Sequence, residues 1–142
     1  MGLPVPRDVV ALVLDVLRPA FAARSEPYAA GLVVSSEMGS EPGIDADDGP
    51  PSLPWLLVAE DGHTWTWPAV QRAVIRLTCW HRTEYTAKAT VALAMGLLCA
   101  PGRRGALVAV DPVTAPFGGL DPYTDQPLAT ASIAVFARTL LL

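Results

Sequence analysis

The sequence predicts an α+β fold, and three observations carry that prediction. Residues 73–81 alternate as a strand does, with Ala73, Ile75, Leu77 and Cys79 on one face and Val74, Arg76, Thr78 and Trp80 on the other. Residues 87–98 then switch to helical spacing, through Ala87, Val91, Ala94 or Met95, and Leu98. Residues 128–140 return to alternation, setting Ala131, Ile133, Val135 and Ala137 against Ser132, Ala134, Phe136 and Arg138. The strand-then-helix unit over residues 72–98 is expected to supply most of the core.

Each further element has its own signal. Residues 6–24 read as the first helix, with Pro6 suited to the first helical position and Asp8 to the first turn. Its apolar stripe is Val9, Leu12, Val13, Val16, Leu17 and Phe21, the face of a helix lying across a sheet. Pro19 lacks an N–H and predicts a bend or an end near Arg18. Gly31 opens a short strand over 32–36, and residues 55–60 form the next, apolar on both faces and therefore central or doubly covered. Asp61 and Gly62 read as a turn, and 63–67 as a strand entering the next hairpin arm. Pro68 marks a bulge or break before the 72–81 strand. Thr83 is the expected N-cap of the second helix, with Glu84 in its positive first turn, and Pro101 and Gly102 stop it. Residues 106–110 read as a strand or the start of a helical turn, and 111–127 as a Pro- and Gly-rich connection.

Composition narrows the function. A chain of 142 residues is the usual size of one domain, and 51% hydrophobic content excludes global disorder. The net charge of −4 argues against a dedicated nucleic-acid binder, which would carry a basic face. The apolar runs are too short to span a bilayer, and no basic n-region marks a signal peptide. Cys79 and Cys99 lack metal-site spacing and read as buried thiols in a reducing compartment.

Two stretches invite functional readings. Residues 37–54 form a long irregular segment with Glu37, Glu41, Asp45, Asp47 and Asp48 and not one basic residue. It reads either as a solvated insertion or as a partner-binding arm; the alternating-oxygen pattern of a calcium loop is absent. Trp55, Trp65, Trp67 and Trp80 could stack nucleic-acid bases, but the negative charge favours strand-borne aromatics packed under helices or at a subunit contact. His63 and His81 are the only histidines, and no nucleophile elbow, Walker loop or zinc spacing accompanies them. No catalytic, cofactor-binding or metal-ligating residue is therefore assigned, and no enzyme is expected.

The order of elements carries a family resemblance. The run AVIRLTCWHRTEYT, the following TAKATVALAMGLL, and the terminal DPYTDQPLATASIAVFART resemble the tail terminator proteins of long-tailed bacteriophages, also called tail-completion or minor tail proteins. In that family the last strand follows a motif like Asp-x-x-Thr-x-x-Pro, matched here by Asp121, Thr124 and Pro127. The resemblance spans most of the chain, from the first helix to Arg138. It implies a single domain over residues 1–142: a mixed, mostly antiparallel sheet of about four or five strands with two main helices on one face.

It also implies a structural virion protein and no catalytic residues. Such a protein forms a homohexameric ring at the head–tail junction, ends polymerisation of the tail tube protein and joins the tube to the head connector. It would assemble in the host bacterial cytoplasm, and genomic DNA would pass through its lumen without specific binding. The alternatives are a head-completion or connector neck protein, or a small enzyme or ligand-binding domain. Arg76, Trp80 and Arg138 lie on strand faces with no obvious partner inside one domain, and are expected at the ring contact. Glu37, Glu41, Asp45, Asp47 and Asp48 are expected to line the lumen and repel DNA, or to dock a basic patch. Leu140, Leu141 and Leu142 are expected to be buried in the sheet or against a neighbouring subunit.

Overall fold

The computed structural model describes residues 2–36, 53–102 and 105–142. Two helices and a six-stranded mixed sheet form around one apolar cluster, and a separate two-stranded ribbon joins them. The α+β class is as the sequence predicts; the sheet is larger than the four or five strands expected. The extra strands are short pieces whose pairing, rather than any sequence pattern, defines them.

The order along the chain is β1 (Pro4–Val5), α1 (Val9–Ala22), a 3₁₀ turn (Pro27–Ala29), β2 (Val33–Ser35), β3 (Trp55–Thr66), β4 (Val70–Trp80), α2 (Glu84–Cys99), β5 (Leu107–Pro112), β6 (Phe117–Leu120), β7 (Pro127–Arg138) and β8 (Leu140–Leu141). Across the main sheet the strands run β2-β3-β4-β7-β5, and β6 pairs with β7 beyond the end of β5. Among the described strands, β2 and β3 alone pair parallel. β1 and β8 pair antiparallel as the ribbon.

The two long central strands, β4 and β7, pair without interruption from Val70 opposite Arg138 to Trp80 opposite Leu128. Their unbroken alternation explains the register, because a slip by one residue would turn Ile75, Leu77, Ile133 and Val135 out of the core. Those side chains meet α1 through Val9, Val13, Leu17 and Phe21, and α2 through Ala87, Val91, Ala94 and Leu98. Each fully buried Val, Leu or Ile side chain contributes about 1.5–3 kcal/mol relative to exposure.

Both helices start on side-chain caps. Thr83 accepts a bond from the Thr86 N–H, and the Thr86 hydroxyl accepts in return from the Thr83 N–H, a reciprocal capping box. Asp8 is the N-cap of α1, accepting from the Ala11 N–H, and does not sit in the first turn as the sequence suggested. Pro6 accordingly precedes the helix. α1 continues through Pro19 to Ala22 instead of ending near Arg18. Pro19 falls in the last turn on the exposed side, where the lost hydrogen bond is the cheapest one to give up.

The largest departure lies in β3. Asp61 and Gly62 are not a hairpin turn: the strand runs on to Thr66, with a bulge between Glu60 and Gly62. The extra residue, Asp61, shifts the phase, so that His63 comes opposite Ala73. Residues 63–67 thus largely belong to the same strand as 55–60, and the turn to β4 lies at residues 67–69, with Pro68 in it. Residues 111–127, expected to be a connection, contain β6. Cys79 is buried as expected, and burial pushes its thiol up to about 12, whereas Cys99 is only half-buried.

Candidate interaction face

Helices cover one face of the sheet, and among the described residues the other is bare. On the bare face β3, β4 and β7 present cross-strand rows: Leu57, Thr78 and Thr130; Ala59, Arg76 and Ser132; Gly62, Val74 and Ala134; Thr64, Arg72 and Phe136. The row at the end is Thr66, Val70 and Arg138. Apart from buried Ala134, these side chains are half-buried or exposed, which is how a sheet face looks when nothing packs on it.

Parity on β4 and β7 places Arg76 and Arg138 on this face together with Arg72. Arg76 reaches the bulge residue Asp61 at 3.3 Å, an exposed ion pair. The Arg72 guanidinium lies over the Phe136 ring, 6.0 Å from its centroid. Arg138 ends β7; its N–H donates to the Ala106 carbonyl and its own carbonyl accepts from Arg7 Nε. Arg72, Phe136 and Val74 were missing from the sequence-based interface set, although the same two-residue alternation marks them.

Trp80 corrects the expectation that its partners lie outside the domain. It is only 8% exposed, because its ring stacks on Trp55 with centroids 4.7 Å apart. Its Nε1–H donates to Asp121 Oδ2 at 2.7 Å, and Trp55 Nε1–H donates to Ser35 at 2.7 Å. Both indoles therefore have their polar atoms satisfied within the chain. Trp65 and Trp67 sit apart from this pair, Trp67 being 68% exposed.

The Asp121, Thr124 and Pro127 motif is a built turn. Asp121 Oδ1 accepts from the N–H groups of Tyr123 and Thr124, and the Thr124 hydroxyl accepts from the Gln126 N–H. The Pro127 carbonyl accepts from the His81 N–H, and the Gln126 amide donates to the His81 carbonyl. Burial pulls the Asp121 carboxyl upward, but the bonds from Trp80, Tyr123 and Thr124 outweigh it and hold it below the ordinary aspartate range. The motif thus clamps the start of β7 to the end of β4. His81, buried beside it, donates from Nε2 to the Tyr28 carbonyl and accepts the Arg82 N–H at Nδ1.

A second apolar exposure lies at the ribbon. Leu3, Leu141 and Leu142 are exposed, so of the two expected fates of the last residues, burial in the sheet is overturned, and burial against a neighbouring subunit stays a proposal. β8 pairs with β1 outside the main sheet, and its neighbours include Pro4, Pro68, Ala69 and Thr139 around a shallow groove. Glu37, Glu41, Asp45, Asp47 and Asp48 lie outside the described residues.

Among the described residues no cluster of three or more His, Cys, Asp or Glu side chains could hold a metal ion. Nor, among them, is any helix long and apolar enough to cross a membrane. Fold and geometry together define a small α+β domain with a one-sided sheet. Its sequence matches no protein-family model and no curated protein.

Proposed function

We propose that this protein is the subunit of a structural ring at the head–tail junction of a long-tailed bacteriophage. The ring caps the tail tube, stops its growth and docks it to the head connector. The observation that supports this reading is the bare sheet face, with Leu57, Val74, Phe136 and Arg76 displayed between β3 and β7 while both helices pack behind it. The order of elements and the Asp121 turn accord with the tail terminator resemblance drawn from the sequence. A closed ring is built from heterologous contacts, so the bare face of one copy would meet a different surface of the next. Arg72, Arg76 and Arg138 fit such a contact, since arginine and aromatic side chains dominate the energy of protein interfaces.

Mass measurement of the purified chain tests the reading: a ring of about six copies is expected, and purified tail tubes should bind it at one end. Phe136→Glu combined with Val74→Glu should give a folded chain that no longer assembles. A wild-type chain that stays monomeric at high concentration and ignores tail tubes would overturn the reading. Binding to the connector but not to tubes would move it to another ring of the neck.

A further inference from the structure

We propose that His63 is an acid-sensitive latch: neutral, it fastens the segment ahead of α1 to the sheet, and protonated, it lets that segment go. The inference does not depend on the reading of function above. It rests on four groups in a row. Glu60 Oε1 meets His63 Nδ1 at 2.7 Å, and His63 Nε2 meets Gln71 Nε2 at 2.8 Å. Gln71 in turn grips the backbone of Arg7: its Oε1 accepts the Arg7 N–H at 2.6 Å and its Nε2 donates to the Arg7 carbonyl at 3.0 Å.

The backbone of Arg7 fixes every proton in this row. A peptide N–H can only donate and a carbonyl can only accept. The Gln71 amide therefore has one orientation, with its NH₂ directed at both the Arg7 carbonyl and His63. His63 Nε2 must then be an acceptor, and the imidazole carries its single proton on Nδ1, facing the Glu60 carboxylate. Gln71 is fully buried, which shields its two bonds to the Arg7 backbone, while His63 and Glu60 lie at the surface within reach of solvent protons.

Protonation puts a hydrogen on Nε2, pointing at the Gln71 NH₂. Donor then faces donor. If the amide flips to offer His63 its oxygen, it turns a donor toward the Arg7 N–H and an acceptor toward the Arg7 carbonyl, and loses both bonds. Either way the grip on Arg7 fails.

The charged groups around the row come from the neighbouring elements. Glu60, on the same strand, accepts from Nδ1. Asp8, the α1 N-cap, borders the same surface depression as Glu60. The Arg7 guanidinium is engaged by the Arg138 carbonyl, Arg72 lies on the opposite sheet face, and β7 contributes uncharged Ala137 beside Gln71. What the latch holds is the approach to the ribbon: Val5 and Pro4 pair with Leu140 and Leu141, and Leu3 bonds Leu142. Release would free residues 2–7 from their pairing beside β8.

Nitrogen NMR of the wild-type chain tests the proposal directly. At neutral pH the ring should be the Nδ1–H tautomer. As pH falls and His63 titrates, hydrogen-exchange protection of the Arg7 amide should drop about tenfold, the worth of one hydrogen bond, while that of Leu77 stays unchanged. His63→Gln, which takes up no proton, should show constant Arg7 protection over the same range. Gln71→Met removes the donor conflict and should raise the titration midpoint of His63, the reciprocal of the same coupling. If that variant does not fold, the wild-type titration still decides. An Nε2–H tautomer at neutral pH, or Arg7 protection that ignores His63 titration, would overturn the latch.

Discussion

The two faces of the sheet are made from the same strands yet obey different rules. On the helix side of β4, Ala73, Ile75, Leu77 and Cys79 have no solvent exposure at all; on the other side, one residue along, Val74 and Thr78 are half-buried and Arg72 and Arg76 are exposed. A strand does not distinguish its faces by backbone. The difference comes from what the helices bring: α1 and α2 present their apolar sides to one face only. Among the described residues, stability is therefore concentrated behind the sheet.

Substitutions can break or sharpen that contrast. The largest effect is expected from Leu77→Ala, about 2–5 kcal/mol of unfolding free energy in urea titration, against less than about 1 kcal/mol for Leu57→Ala on the front. Equal costs would mean that the front is covered in solution. Enlargement should separate the faces next: Ala131→Leu, wedged under the helices, is expected to cost about 1–3 kcal/mol, while Ala59→Leu is tolerated in the isolated chain.

A smaller effect belongs to Asp121, whose carboxyl is held below its ordinary range. The sign follows from linkage: the contribution is present above the unfolded-state value of about 3.9 and is lost as pH falls through the lower folded value. Asp121→Asn should thus make acid unfolding less steep and lower stability at neutral pH by about 1 kcal/mol. The smallest change is Arg76→Ala. Its exposed pair with Asp61 is worth about 0–1 kcal/mol, so thermal unfolding of the monomer should hardly move. Loss of assembly in that variant, with stability intact, would assign Arg76 to a contact between copies.

How much of this could be read beforehand depended on whether a signal was local. β4, β7 and α2 were legible because their periodicity runs over ten or more residues and tertiary packing agrees with it. The Asp61 and Gly62 pair misled because the dipeptide that suits a tight turn also suits a bulge, and only the pairing partner decides between them. β6 escaped notice because Phe117, Gly118, Gly119 and Leu120 acquire strand geometry from β7 alone. Parity was enough to place Arg76 and Arg138 on the same sheet face. Trp80 was misjudged because its hydrogen-bond partner Asp121 lies 41 positions away, beyond any local pattern.

The pairing of β4 with β7 has a consequence for how the chain reaches this shape. β3 and β4 are joined by a short turn and can zip together at once, but β4 must wait for a partner that begins at Pro127 and ends at Arg138. Bringing residue 70 to residue 138 closes a long loop before any contact compensates the lost entropy. Until then the free side of β4 is an open edge carrying Ile75 and Leu77, apolar and unpaired. Folding is thus expected to be limited by the arrival of β7, and crowded, unfinished chains are most exposed to mispairing at that edge.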